Sequence, residues 1–168
     1  MNILLTDVRV ENIGKITQIL LRLLITYNLM KWYLASRTRH VNKINSIQKL
    51  LIKYGHQIEF DWTSLGSLRP FEKNYSKCKE ISQKMSKAIS NSDIFTLISD
   101  KEGTDMFIEL GMAIKNYEIQ RKPKIYLVGK YNKRSLMHFH HSIKHVKSIE
   151  EVFSKECPEL LINKNINF

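Results

Sequence analysis

One stretch of the chain concentrates the residue types that chemistry needs. Residues 99–113 read SDKEGTDMFIELGMA. Gly103 permits a tight turn from a strand into a helix. The first N–H groups of that helix have no intrahelical partner and can hold an anion. Glu109 falls about one turn into the helix, between Ile108 and Leu110, with Gly111 and Ala113 beyond. Small residues at 111 and 113 let the helix approach a sheet closely. A carboxylate in such surroundings is either a paired structural residue or a functional one. Asp61, Asp93 and Asp100 are further carboxylates able to supply an acid.

The elements that must position these groups are legible from periodicity. Apolar runs at residues 32–36, 57–62, 94–98 and 124–128 read as strands, with a short fifth at 142–146. Helical stripes fall at 41–54, 77–90 and 107–117, and a last helix at 148–153. Gly55 closes the first of these helices, and Ser148 with Glu151 three residues on reads as a capping box. Strands alternate with helices throughout, which predicts a single α/β domain with a parallel sheet of about five strands and helices on both faces. Ligands of such sheets bind outside the C-terminal strand ends. The residues to watch therefore follow the strands: Ser36 and Arg37, Asp61 and Trp62, residues 99–109, and residues 129–140. Trp62 or Tyr33 could stack on a base.

Composition narrows the class. The chain has 168 residues, 43% of them hydrophobic, and a net charge of +11, which suits one globular domain with a taste for anionic partners. No Asp or Glu occurs between Glu118 and Glu150, so the basic excess is partly local. That region is either a solvated surface or a phosphate-attracting rim. Neither zinc-finger spacing nor a base-reading helical stripe is present, which argues against nucleic acid. Two cysteines far apart give no disulfide framework, consistent with a cytoplasmic setting. His138, His140 and His141 lack acidic or thiol neighbours at ligand spacing, so no metal and no cofactor is expected.

Residues 1–30 read as an added N-terminal helix, with Ile16, Ile19, Leu20, Leu23 and Tyr27 at helical spacing. Arg22 interrupts the apolar run, which is too short to span a membrane. Residues 157–168 read as a tail, leaving 31–156 as the working domain.

Four motifs in order carry a resemblance. They are Tyr33-Leu34-Ala35-Ser36, Gly55-His56-Gln57-Ile58, Asp61-Trp62-Thr63 with Ser92-Asp93-Ile94, and the Gly103-Thr104 turn leading to Glu109-Leu110-Gly111 with Ala113. Together they resemble the nucleoside 2-deoxyribosyltransferase-like family, which includes deoxynucleoside 5′-monophosphate N-glycosidases, over roughly residues 31–153. The resemblance implies a flavodoxin-like (Rossmann-like) three-layer sandwich and cleavage or transfer of an N-glycosidic bond. It implies Glu109 as the nucleophile, Tyr33 as the residue that places it, and Asp93 as a further acidic group. Ser36, Arg37, Asp61, Trp62, Asp100, Gly103 and Thr104 would bind a nucleoside or nucleotide. Asn132 and Ser135 would complete the pocket, in a homodimer or larger assembly with the pocket near the subunit interface. The chain departs from the family at Met85, where some members carry an acid, and in Ser36-Arg37-Thr38-Arg39, where a glycine-rich stretch is usual. The leaving-group acid is thereby open, and the arginines favour a phosphate-bearing substrate. Two alternatives stand beside this reading: a TIR-like NAD glycohydrolase, and a nucleotide-sensing module without catalysis.

Overall fold

The computed structural model describes residues 29–161. The expected N-terminal helix and the end of the expected tail lie outside the described residues. Five parallel strands form one sheet: β1 (Lys31–Ala35), β2 (Gln57–Ile58), β3 (Ile94–Ile98), β4 (Lys124–Val128) and β5 (Ile143–Val146), in the order β2-β1-β3-β4-β5. Four helices join or follow them: α1 (Val41–Lys53), α2 (Tyr75–Asn91), α3 (Asp105–Gln120) and α4 (Ile149–Glu156). This is a flavodoxin-like arrangement.

Strand alternation divides the core into two layers. Trp32, Leu34, Ile94, Ile98, Tyr126 and Val128 face α1 and α4, where they meet Ile44, Ile47, Val152 and Phe153. Tyr33, Ala35, Phe95, Leu97, Ile125 and Leu127 face α2 and α3, against Ile89, Met106, Leu110 and Ala113. Tyr33 pairs in register with Phe95, and their rings stack 5.6 Å apart. The parity of residue 33 thus puts its side chain on the face that carries α3.

Strand order creates the crevice. β1 leads through α1 to β2 on one side, and α2 returns the chain to β3 on the other. The loops leaving β1 and β3 therefore diverge over neighbouring strand ends, which is where open α/β sheets bind ligands. Gly55 stands just past α1 at φ +88, and a Schellman pair (Gly55 N–H to Ile52 O, 2.9 Å; His56 N–H to Leu51 O, 3.0 Å) ends that helix as expected.

Three expectations are corrected. The second strand is shorter than residues 57–62. Only Gln57 and Ile58 pair with β1, and the last ladder bond runs from Glu59 N–H to Trp32 O. The next carbonyl on that edge, Leu34 O, accepts the Trp62 indole N–H at 2.7 Å instead. A side chain has replaced the backbone donor a longer strand would have brought. The capping box does not form: Ser148 makes no side-chain cap bond, and Glu151 accepts from the Lys147 N–H rather than from its own cap residue. Residues 157–161 are not a tail. Cys157 and Leu160 are fully buried in the α1/α4 layer, because the 3-10 turn Pro158–Leu161 folds back onto it.

Candidate active site

The turn between β3 and α3 is built around Gly103, which sits at φ +127. A side chain there would be strained by the backbone and would place Cβ 2.8 Å from Arg37 Cδ and 3.0 Å from Met106 Cε. The glycine lets the loop after β1 lie against the loop after β3. Arg37 reaches Glu102 across this contact at 3.7 Å. Ser36 Oγ–H donates to Ile98 O at 3.3 Å, which ties the two strand ends together.

Glu109 lies in α3 with 7% of its surface exposed. Burial pushes its carboxyl up to about 7, the nearby Asp105 charge adds to the rise, and the Tyr33 hydroxyl opposes it. Tyr33 is fully buried. Its hydroxyl is raised well above the usual phenol range by burial first and by the Glu109 charge second. The hydroxyl has no partner in ordinary hydrogen-bond geometry, so its link to Glu109 is a close electrostatic contact rather than a well-formed bond. Tyr33 is thus placed as a companion of Glu109. It cannot stack on a ligand, since its ring is enclosed against Phe95.

Asp100 follows β3 and is 2% exposed. Burial favours its neutral form. Hydrogen bonds from Arg39, from the Glu102 N–H (3.0 Å) and from His40 (Nε2 to Oδ2, 2.7 Å), with the Arg39 charge, outweigh burial and hold the carboxyl well below the usual range. An aspartate held ionised in this way is a poor proton donor. Arg39 and His40 lie in the 3-10 turn Thr38–His40 between β1 and α1. Sequence reasoning took Arg39 only as a phosphate contact and passed over His40, although its position directly after a strand end was the available signal.

The remaining sequence candidates sit as follows. Asp93 is at the N-terminal end of β3, where it accepts the Lys31 N–H at 3.0 Å. That is the opposite end of a five-residue strand from Ser99, about 17–20 Å away, so Asp93 is not part of the crevice. Its role is to tie β1 to β3 at their starts. Asp61 is exposed and engaged in its own turn, accepting from Thr63 N–H (2.9 Å) and Thr63 Oγ–H (2.6 Å). Trp62 is a half-buried strap over the end of β1. Thr104 caps the start of α3 by position but makes no side-chain cap bond. Asn132 donates to Leu127 O (3.4 Å) and Val146 O (3.1 Å), so its amide is spent joining the ends of β4 and β5. Ser135 opens the 3-10 turn Leu136–Phe139 without a side-chain cap bond.

A second opening lies to one side. A cleft of about 560 Å³ at the ends of β4 and β5 is lined by Gly129, Lys130, Asn132, Lys133, His145 and Lys147, among others. None of Tyr33, Asp100 or Glu109 lines it, so it adds a basic rim rather than the carboxylate site.

Among the described residues one group could hold a metal: His56, Cys157 and Glu159 bring ligand atoms within 4.8 Å of one another. It lies at the other end of the sheet from Glu109. The donor chemistry fits a metal poorly. His56 Nδ1 accepts the Met30 N–H at 3.3 Å, so the neutral ring keeps its proton on Nε2, 3.4 Å from Glu159. A metal-bound histidine instead donates from its second nitrogen. Burial also pushes the Cys157 thiol far up, away from the thiolate a metal needs.

No helix among the described residues is long and apolar enough to cross a membrane. No family model matches the chain, and neither a curated protein nor a solved structure matches it significantly.

Proposed function

We propose that this protein cleaves or transfers the N-glycosidic bond of a nucleoside or nucleoside 5′-monophosphate, with Glu109 as nucleophile. The observation that carries this reading is a buried carboxylate, its pKa raised, with a tyrosine hydroxyl at its side. The ordered motifs that resemble the nucleoside 2-deoxyribosyltransferase-like family support the same assignment.

The chemistry follows from charge. As the C1′–N bond breaks, its electron pair leaves with the base and positive charge develops on the sugar ring. A carboxylate beneath the ring stabilises that charge and closes onto C1′ as an ester. Water or a second base then attacks C1′, breaks the ester bond and regenerates Glu109. The Tyr33 hydroxyl, buried beside the carboxylate, favours its ionised form when the reaction calls for it. Arg37, half-buried at the mouth, is the cation best placed for a 5′-phosphate.

The test is base release over a panel of nucleosides, deoxynucleosides, their 5′-monophosphates and NAD, for wild type and Glu109→Ala. Release by wild type, lowered at least about 1,000-fold in the variant, is the expected result. Silence on the whole panel, with and without an acceptor base, would sink the enzymatic reading and leave a nucleotide-binding module.

A further inference from the structure

We infer that His40, held by Asp100, is the group that hands a proton to the departing base and takes one back from the attacking water. The inference rests on the glycosidic reading above and names the acid that reading leaves open.

Geometry eliminates the other acids. Asp93 is at the wrong end of the sheet, Asp61 is spent in its own turn, and Asp100 is held as a carboxylate by three donors. Glu102 is largely exposed and turned to Arg37. Asp105 lies on the nucleophile's own helix, one turn before Glu109, whereas the acid must flank the scissile bond from the other side. What remains at the β1–β3 crevice is an imidazole, a side chain able both to give and to take a proton.

His40 is also built like a proton carrier. Its side chain is 32% exposed, while its partner Asp100 is buried. Nε2 lies 2.7 Å from Asp100 Oδ2, and that carboxylate is itself fixed by Arg39 and by the Glu102 N–H. An ionised aspartate accepts and does not donate, so the imidazole proton sits on Nε2. Nδ1 has no hydrogen-bond partner among the described residues. This is the arrangement in which a carboxylate sets tautomer and orientation of a histidine whose other nitrogen does the work. The turn that carries His40 adjoins Arg37, whose stem packs on Gly103 at the head of the helix that carries Glu109.

The steps balance. In the first, protonated His40 gives its Nδ1 proton to a ring nitrogen of the base as the C1′–N bond breaks and Glu109 bonds to C1′. In the second, neutral His40 takes a proton at Nδ1 from water, the water oxygen bonds to C1′, and the Glu109 ester bond breaks. Asp100 touches neither substrate nor base and is a positioning residue.

The experiment compares leaving groups. Wild type, His40→Gln and Glu109→Ala are assayed on the nucleoside and nucleotide panel, and on p-nitrophenyl riboside and 2-deoxyriboside with and without a 5′-phosphate. Nitrophenolate leaves without a proton. Loss of His40 is expected to slow base release about 100-fold or more but the single-turnover burst of nitrophenolate, which reports the first step alone, less than about threefold, whereas loss of Glu109 abolishes both. Equal losses on both leaving groups, or no loss on either, would overturn the role of His40 while Glu109 dependence kept the glycosidic reading. Silence of wild type on every substrate would end both. Nitrogen-15 NMR gives a readout apart from activity: wild type is expected to hold His40 as the Nε2–H tautomer and Asp100→Asn to lose that bias. An Nδ1–H tautomer in wild type overturns the proposal whatever the kinetics.

Discussion

Tyr33 on β1 and Glu109 on α3 are electrostatically coupled across the sheet–helix interface: the carboxylate raises the phenol, and the phenol draws the carboxyl down. The coupling exists because residue 33 points to the α2/α3 layer, and α3, packed on β3 and β4, carries Glu109 on that same side of the sheet. Burial at that interface outweighs the coupling and gives Glu109 an energetic signature that can be measured without any substrate.

Glu109 lowers stability when it is ionised. Its folded-state carboxyl sits at about 7, against 4.5 for the free side chain. The folded protein therefore binds this proton more tightly than the unfolded chain does. Its contribution is fully present below about 4.5 and is lost as pH rises through about 7. Glu109→Gln should accordingly be more stable than wild type at pH 8, by up to roughly 3 kcal/mol. The difference should shrink towards zero at pH 5. Thermal melts at the two pH values check this, and an unchanged difference would contradict the burial argument.

Two substitutions should move the acid limb of the pH–rate profile in opposite directions. Tyr33→Phe removes the group that favours the ionised carboxylate, so the limb shifts up, and activity at pH 6 falls about 3- to 10-fold with little change at pH 9. Asp105→Asn removes a like charge four residues back on the same helix face, so the limb shifts down. A common direction for both would rule out Glu109 as the group that titrates.

Trp62 is expected to matter for the fold of the strand edge. Trp62→Phe keeps a large ring but leaves the Leu34 carbonyl without its 2.7 Å donor. The cost should be about 1–2 kcal/mol, read from chemical denaturation. A neutral outcome would mean that water replaces the indole at that edge.

Gly103 couples the two loops of the crevice. Gly103→Ala must hold a β-carbon at φ +127 and push Arg37 and Met106 aside. A loss of about 1–3 kcal/mol in stability is expected, together with a fall in base release larger than that of a surface control such as Lys84→Ala. Release at the wild-type level would show that the β1 and β3 loops need not touch for activity.

Much of this architecture is carried by local pattern. The spans of β3 and β4 are set by apolar runs bounded by turn residues, and alternation along β1 alone says that Tyr33 and Leu34 face opposite layers. Gly55 and Gly103 announce a helix end and a left-handed turn because few other residues adopt those backbone angles. The helix that carries Glu109, flanked by small and apolar residues, is likewise a local matter. Other features depend on residues tens of positions apart meeting in space, which no window of sequence contains. Packing brought Arg39 and His40 onto Asp100 and so turned a candidate acid into a fixed anion. It also buried Cys157 and Leu160 in what reads as a tail, and set an indole where a longer second strand would have paired. Sequence determines which residues have the chemistry and which face of an element they occupy. Tertiary structure decides their protonation and their partners, because burial and neighbouring charge are properties of the packed chain.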